Sequence, residues 1–147
     1  LRETEAVARG LGLKPQIVEV RAPSDFEKAF QAAKANKAQA LTVSPSSLLN
    51  NHATTTASLA VKYKLPAIYA PRESVEAGGL MSYGPSYPDM GRRAAIYVDK
   101  ILKGTKAADL PVEQPMRFEF VINLNAAKKI GVTIPPNVLV RADKVIR

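Results

Sequence analysis

Short apolar runs alternate with longer stretches of helical periodicity along almost the whole chain, and this alternation restricts the fold more than any other feature. The runs are Ile17-Val18-Glu19-Val20, Ala40-Leu41-Thr42-Val43, Pro66-Ala67-Ile68-Tyr69-Ala70, Leu80-Met81-Ser82-Tyr83 and residues 118–124. Pro, Gly and Ser punctuate the chain around most of them, as they do around strands. Joining two parallel strands takes a crossover of about a dozen residues, and the intervening segments are mostly long enough. The expected fold is therefore α/β, an open parallel sheet with flanking helices.

The helical segments carry their own signals. Residues 1–11 read as a helix already under way, closed by Gly10 and Gly12. Ser24-Asp25-Phe26-Glu27 has the form of a capping box and opens a helix to about Asn36 that turns Phe26, Ala29, Phe30 and Ala33 inward. A long helix is expected from Ser46-Ser47 to about Lys64, with Leu48, His52, Thr55, Leu59 and Tyr63 along one side. Residues 72–77 suit a single helical turn. Tyr87, Met90, Ala94, Tyr97, Val98 and Ile101 draw an amphipathic helix that Gly104 ends. Residues 105–115 form a connector, 125–130 a short helix, and Pro135-Pro136 precedes a last amphipathic segment with Val138, Leu139, Val140, Val145 and Ile146. The breaks at Gly78-Gly79 and at 105–115 read as crossings between two lobes.

Composition removes several kinds of chemistry. The 147 residues contain no Cys and a single His, which excludes thiolate and multi-histidine metal sites and leaves no cofactor or metal to expect. No G-x-S-x-G, P-loop or G-x-G-x-x-G occurs, so no enzyme activity is expected. His52 lies on the inward stripe of its helix and reads as a packed imidazole. Lys and Arg exceed Asp and Glu by 21 to 13, a net charge of +8. The basic residues Lys128, Lys129, Arg141, Lys144 and Arg147 lack interleaved aromatics and read as a solvated face rather than a nucleic-acid groove.

In open parallel sheets ligands bind beyond the carboxyl ends of the strands. Ser46 and Ser47 lie there, at the mouth of a helix, and either cap it or bond a ligand. Arg72 can hold a carboxylate with two donors, and Glu73 can take an ammonium or simply pair with Arg72. Tyr83, beside Gly84-Pro85, can form one wall of an apolar pocket, whereas Tyr87 is expected to pack under its own helix.

The run Ile68-Tyr69-Ala70-Pro71-Arg72-Glu73-Ser74-Val75-Glu76-Ala77-Gly78-Gly79-Leu80-Met81-Ser82-Tyr83-Gly84 carries a family resemblance. It is joined by Gly91-Arg92-Arg93-Ala94-Ala95, Lys100-Ile101-Leu102-Lys103-Gly104, Asp109-Leu110-Pro111-Val112-Glu113-Gln114-Pro115 and Phe120-Val121-Ile122-Asn123-Leu124-Asn125-Ala126-Ala127-Lys128. In order and spacing these blocks resemble the ABC transporter substrate-binding protein family of the tryptophan-binding type, with the type I periplasmic-binding fold. Members are roughly double this length, so the resemblance implies a C-terminal fragment with its first strand missing. It implies a C-terminal lobe at 1–78, a strand-helix segment crossing to the N-terminal lobe at 79–112, and a return at 113–147.

The implied role is the solute-binding component of an uptake transporter that closes two lobes over a small carboxylate-bearing solute, an amino acid or aromatic acid. It catalyses nothing. Ser46, Ser47, Arg72, Glu73 and Tyr83 are the implied ligand residues. Ser86 stands where many relatives carry an acidic residue, so no amine anchor is implied at that position. The implied partners are the solute, an ABC permease and the missing N-terminal lobe, with a location in the periplasm or anchored outside the cell. The other role this fold serves is a ligand-sensing domain of a regulatory protein. Without its N-terminal lobe, the chain is expected to expose an apolar edge around the Leu80 strand and its helix, through which two copies could pair as a homodimer.

Overall fold

The computed structural model describes residues 2–147. Five strands form one sheet in the order β1 (Leu41–Val43), β2 (Ala67–Tyr69), β3 (Met81–Pro85), β4 (Phe118–Asn123) and β5 (Lys144–Ile146). β1, β2 and β3 are parallel, as are β4 and β5, but β3 and β4 run antiparallel. The α/β sheet expected from the sequence is present, with this one reversal. It arises because β3 and β4 are joined by a long excursion that leaves and returns at the same end of the sheet.

The helices are α1 (Arg2–Gly10), α2 (Phe26–Ala35), α3 (Ser47–Asn51), α4 (Ala53–Lys62), α5 (Glu73–Glu76), α6 (Tyr87–Leu102), α7 (Leu124–Ile130) and α8 (Pro136–Leu139). One core cluster joins Phe26, Phe30 and Ala33 of α2 to Leu59 and Ala60 of α4 and to Ala67 and Tyr69 of β2. A second gathers Leu80 and Ile122 with Ala126, Ala127 and Ile130 of α7 and with Ile134. Gly131, with φ of 79°, ends α7 in the left-handed conformation that a Cβ disfavours. After α2 and α4 that position falls to Lys37 and Lys64.

Several expectations are corrected. Residues 14–21 form no strand, and Ile17 and Val18 are exposed. An extended segment becomes a strand only when a neighbour takes its backbone groups, and among the described residues β1 is the first strand of the sheet. The helix expected at 46–64 is two helices. His52 leaves helical geometry, with φ of −114° and ψ of 31°, and its ring meets the ring of Phe26 edge-on at 5.3 Å. The Thr56 hydroxyl donates back to the carbonyls of His52 and Ala53, a bond that bends a helix. Thr56, not Thr55, is the buried threonine. The last amphipathic segment divides into α8 and the strand β5, whose register places Val145 beside Ile122.

The capping box is displaced by two residues, to Ala22 and Asp25. Pro23–Asp25 makes a 3-10 turn, and the Asp25 carboxylate accepts the backbone N–H groups of Arg21 and Ala22 at 3.0 and 2.9 Å. Glu27 turns away to accept from Lys62 and the Tyr63 hydroxyl, tying α2 to α4. The two backbone donors, from Arg21 and then Ala22, hold the Asp25 carboxyl below its ordinary value. A carboxyl lowered in the folded state contributes stability at neutral pH that is lost as the pH falls through its folded value. Asp25→Asn should therefore flatten the acid limb of a melting-temperature profile below about pH 4, the unfolded carboxyl range. A limb as steep as that of the wild type would show that the turn does not depend on this carboxylate.

Candidate functional site

Strands β1, β2 and β3 point their carboxyl ends the same way, so the segments after them collect at one end of the sheet. Beyond Ser82, β3 has no partner in β2 and continues with β4 alone as a two-stranded ribbon, pairing Tyr83 with Phe120, Gly84 with Glu119 and Pro85 with Phe118. The ribbon leads into α6 and residues 103–117. α6 buries no side chain and exposes Met90, Ile96, Val98, Ile101 and Leu102. Leu80 itself is buried, but Tyr83 at the one-sided end of the strand and the apolar side chains of α6 are exposed, so an apolar surface does lie along the strand and its helix. Tyr87 is exposed rather than packed under its helix.

Ser46 caps α3: its Oγ accepts the Leu49 backbone N–H at 3.1 Å. Ser47 begins the helix and is exposed. Arg72 follows β2 at the entrance to α5, held there because Pro71 stops the strand. Its guanidinium is sparsely used. Nη1 stands 3.4 Å from Glu119 Oε2, Nε is 3.8 Å from Glu73 Oε1, and Nε is buried with no hydrogen-bond partner. A guanidinium has five N–H donors in a planar fork, and an unspent, partly desolvated fork at a strand tip is suited to a carboxylate.

Glu119 is the residue that sequence reasoning missed. It lies on β4 opposite Gly84, its side chain is 17% exposed, and its Oε1 accepts the hydroxyl of the buried Ser86 at 2.7 Å. The only signal in the sequence was a charged residue inside the apolar run Phe118-Glu119-Phe120-Val121. The Ser86 backbone N–H donates to the Arg117 carbonyl at 2.9 Å, which closes the end of the ribbon.

The structure brings Arg72 and Glu73 together with Ser86 and Glu119 but separates them from Tyr83. Cross-strand partners share a face and successive residues alternate, so Gly84 and Glu119 lie on one face of the ribbon and Tyr83 on the other. On that second face Tyr83 stacks on Phe118 at 5.6 Å and meets Phe120 edge-on at 6.4 Å. Tyr83 is 57% exposed, so the stack is open to its surroundings. A cavity of about 300 Å³ lies elsewhere, between Met90, Arg93 and Tyr97 of α6 and the segment 111–115, where Arg93 pairs with Glu113 and the Tyr97 hydroxyl donates to the Pro111 carbonyl.

Comparison with solved structures finds the same architecture. A conserved domain protein from Vibrio cholerae O1 biovar eltor str. N16961 superposes with a TM-score of 0.88 at 28% identity, covering 98% of this chain and 48% of that one. An ABC domain in complex with L-Trp from Streptococcus pneumonia gives 0.87 at 29% identity, covering 99% and 49%. The ligand-free, open structure of CD0873 from Clostridium difficile, described as a substrate binding protein with adhesive properties, gives 0.71 at 21% identity over 99% and 48%, a likeness of fold alone. The chain thus spans about half the length of each. No curated protein matches it. The model of the ABC transporter substrate binding protein family matches residues 1–146, and the chain belongs to that family.

Proposed function

We propose that the chain supplies one wall of the solute cleft of an ABC uptake system, and that Arg72 holds the carboxylate of a small solute at the strand tips. The observation that carries this reading is the Arg72 guanidinium, with its Nε buried and unpartnered beyond the end of β2. A buried donor without an acceptor carries a desolvation cost that a ligand oxygen would relieve. Ser47 and Glu73 border the same end of the sheet. Ser46 contributes by holding the start of α3, and Tyr83 stands ready for a contact on the opposite face of the ribbon.

In this reading the segment 79–112 crosses to a second lobe, which covers the apolar side chains that α6 exposes and closes over the solute by a hinge at the ribbon. Closure follows from contacts made with solute only in the closed state. The partners are the solute and a membrane permease, and the location is the periplasm or the outer cell surface. The L-Trp bound to the Streptococcus relative makes an amino acid or aromatic acid a reasonable first panel.

Native mass spectrometry of the protein purified as the cell makes it should reveal a co-purifying acid. Titration calorimetry of Arg72→Ala with that acid should show binding weakened by about tenfold or more, or about 1.4 kcal/mol. Unchanged affinity would remove Arg72 from the site and defeat the reading.

A further inference from the structure

Arg72 stands between two carboxylates, Glu73 at 3.8 Å and Glu119 at 3.4 Å, so the cluster carries one net negative charge instead of the positive charge that a lone guanidinium would present. A solute that is purely anionic meets that excess as repulsion. A solute with an ammonium beside its carboxylate does not. We propose that Glu119 is a specificity-determining residue of this site: it positions Arg72 and makes the strand tips favour solutes that carry a cationic amine next to their carboxylate. The inference rests on the reading of Arg72 as the residue that holds the carboxylate.

The geometry around Glu119 is that of an anchored group with unused capacity. One of its oxygens is fixed by the Ser86 hydroxyl, and the other lies 3.4 Å from Arg72 Nη1, a loose contact for a charge-assisted pair. Its cross-strand neighbour is Gly84, where an added Cβ would stand 2.1 Å from the Ala70 carbonyl oxygen, so backbone and not a side chain lies beside it. Arg72 in turn leaves its Nε unpartnered. Donors and acceptor therefore lie within one zwitterion's reach of each other. In the free protein the Arg72–Glu119 pair neutralises itself, and an amino acid can engage the two ends separately, its carboxylate on the guanidinium and its ammonium on Glu119.

The test pairs amino acids with their deaminated counterparts, L-tryptophan with indole-3-propionate and L-phenylalanine with 3-phenylpropionate, by titration calorimetry on the protein purified as the cell makes it. The wild type should favour the amine-bearing member of each pair. Glu119→Gln should shift that ratio by about tenfold toward the deaminated acid, since one charge is removed without a change of shape, and Glu119→Asp should keep the wild-type preference. If both series bind and Glu119→Gln leaves the ratio unchanged, the inference falls while the reading of Arg72 stands. If neither series binds, both fall.

Should Glu119→Gln fail to fold, wild-type protein still decides the matter. Raising ionic strength from about 0.01 to about 1 M contracts the Debye length from about 30 to about 3 Å and should narrow the ratio. A ratio insensitive to salt would overturn the role given to Glu119.

Discussion

Gly84→Ala should cost the chain about 3–5 kcal/mol, among the largest losses a single methyl group can cause. A Cβ at this position would lie 2.1 Å from the carbonyl oxygen of Ala70 and 2.8 Å from its carbonyl carbon. Both are main-chain atoms, so no rotamer change can make room. Either β3 moves away from the segment that carries Ala70, Pro71 and Arg72, or that segment moves away from β3. For a chain of this size each kcal/mol corresponds to about 2–4 °C of melting temperature, so a fall of roughly 6–20 °C should appear by circular dichroism. The same displacement carries Arg72 away from Glu119, so binding should weaken along with stability. A melting temperature within about 2 °C of the wild type would show that the approach of the two backbones is not a constraint on the fold.

Ile122→Ala should be the second severe change, at about 3–4 kcal/mol. Ile122 is fully buried, pairs with Met81 on one side and Val145 on the other, and belongs to the cluster with Leu80, Ala126 and Ile130. Its neighbours come from two other strands and from α7, and a hole among elements held by their own backbone ladders cannot readily collapse. Ile122→Val, which removes one methylene, should cost only about 0.5–1.5 kcal/mol. Urea unfolding of the two variants gives both numbers, with an unchanged denaturant slope as the check that the folded state is the same. If the alanine variant lost less than about 1 kcal/mol, α7 would have to be free to settle onto β4.

Much of the architecture was legible because its signals are local. The short apolar runs at 41–43, 67–69, 81–83 and 118–123, the proline after β2 and the glycine after α7 act through the conformations of single residues and their near neighbours. The failures share a cause in partners far along the chain. Residues 17–20 have a strand's composition and, among the described residues, no ladder to join. His52 is drawn out of its helix where its ring meets Phe26, 26 positions earlier. Residues 144–146 look like the end of an amphipathic helix and become a strand because β4 offers them an edge.

The candidate site divides along the same line. Strand-end placement points to Ser46, Ser47, Arg72, Glu73 and Tyr83 alike, because the end of a parallel strand can be counted from the sequence. What that counting does not give is the face: the two-residue period of the ribbon turns the Tyr83 ring to the side opposite Glu119. Glu119 lies 47 positions from Arg72 and reaches it only through the antiparallel return of β4. The order of elements and the class of fold follow from local propensity and periodicity, which are written residue by residue. The charge at the strand tips depends on which distant segments pair and in what register, and those are settled only when the chain closes on itself.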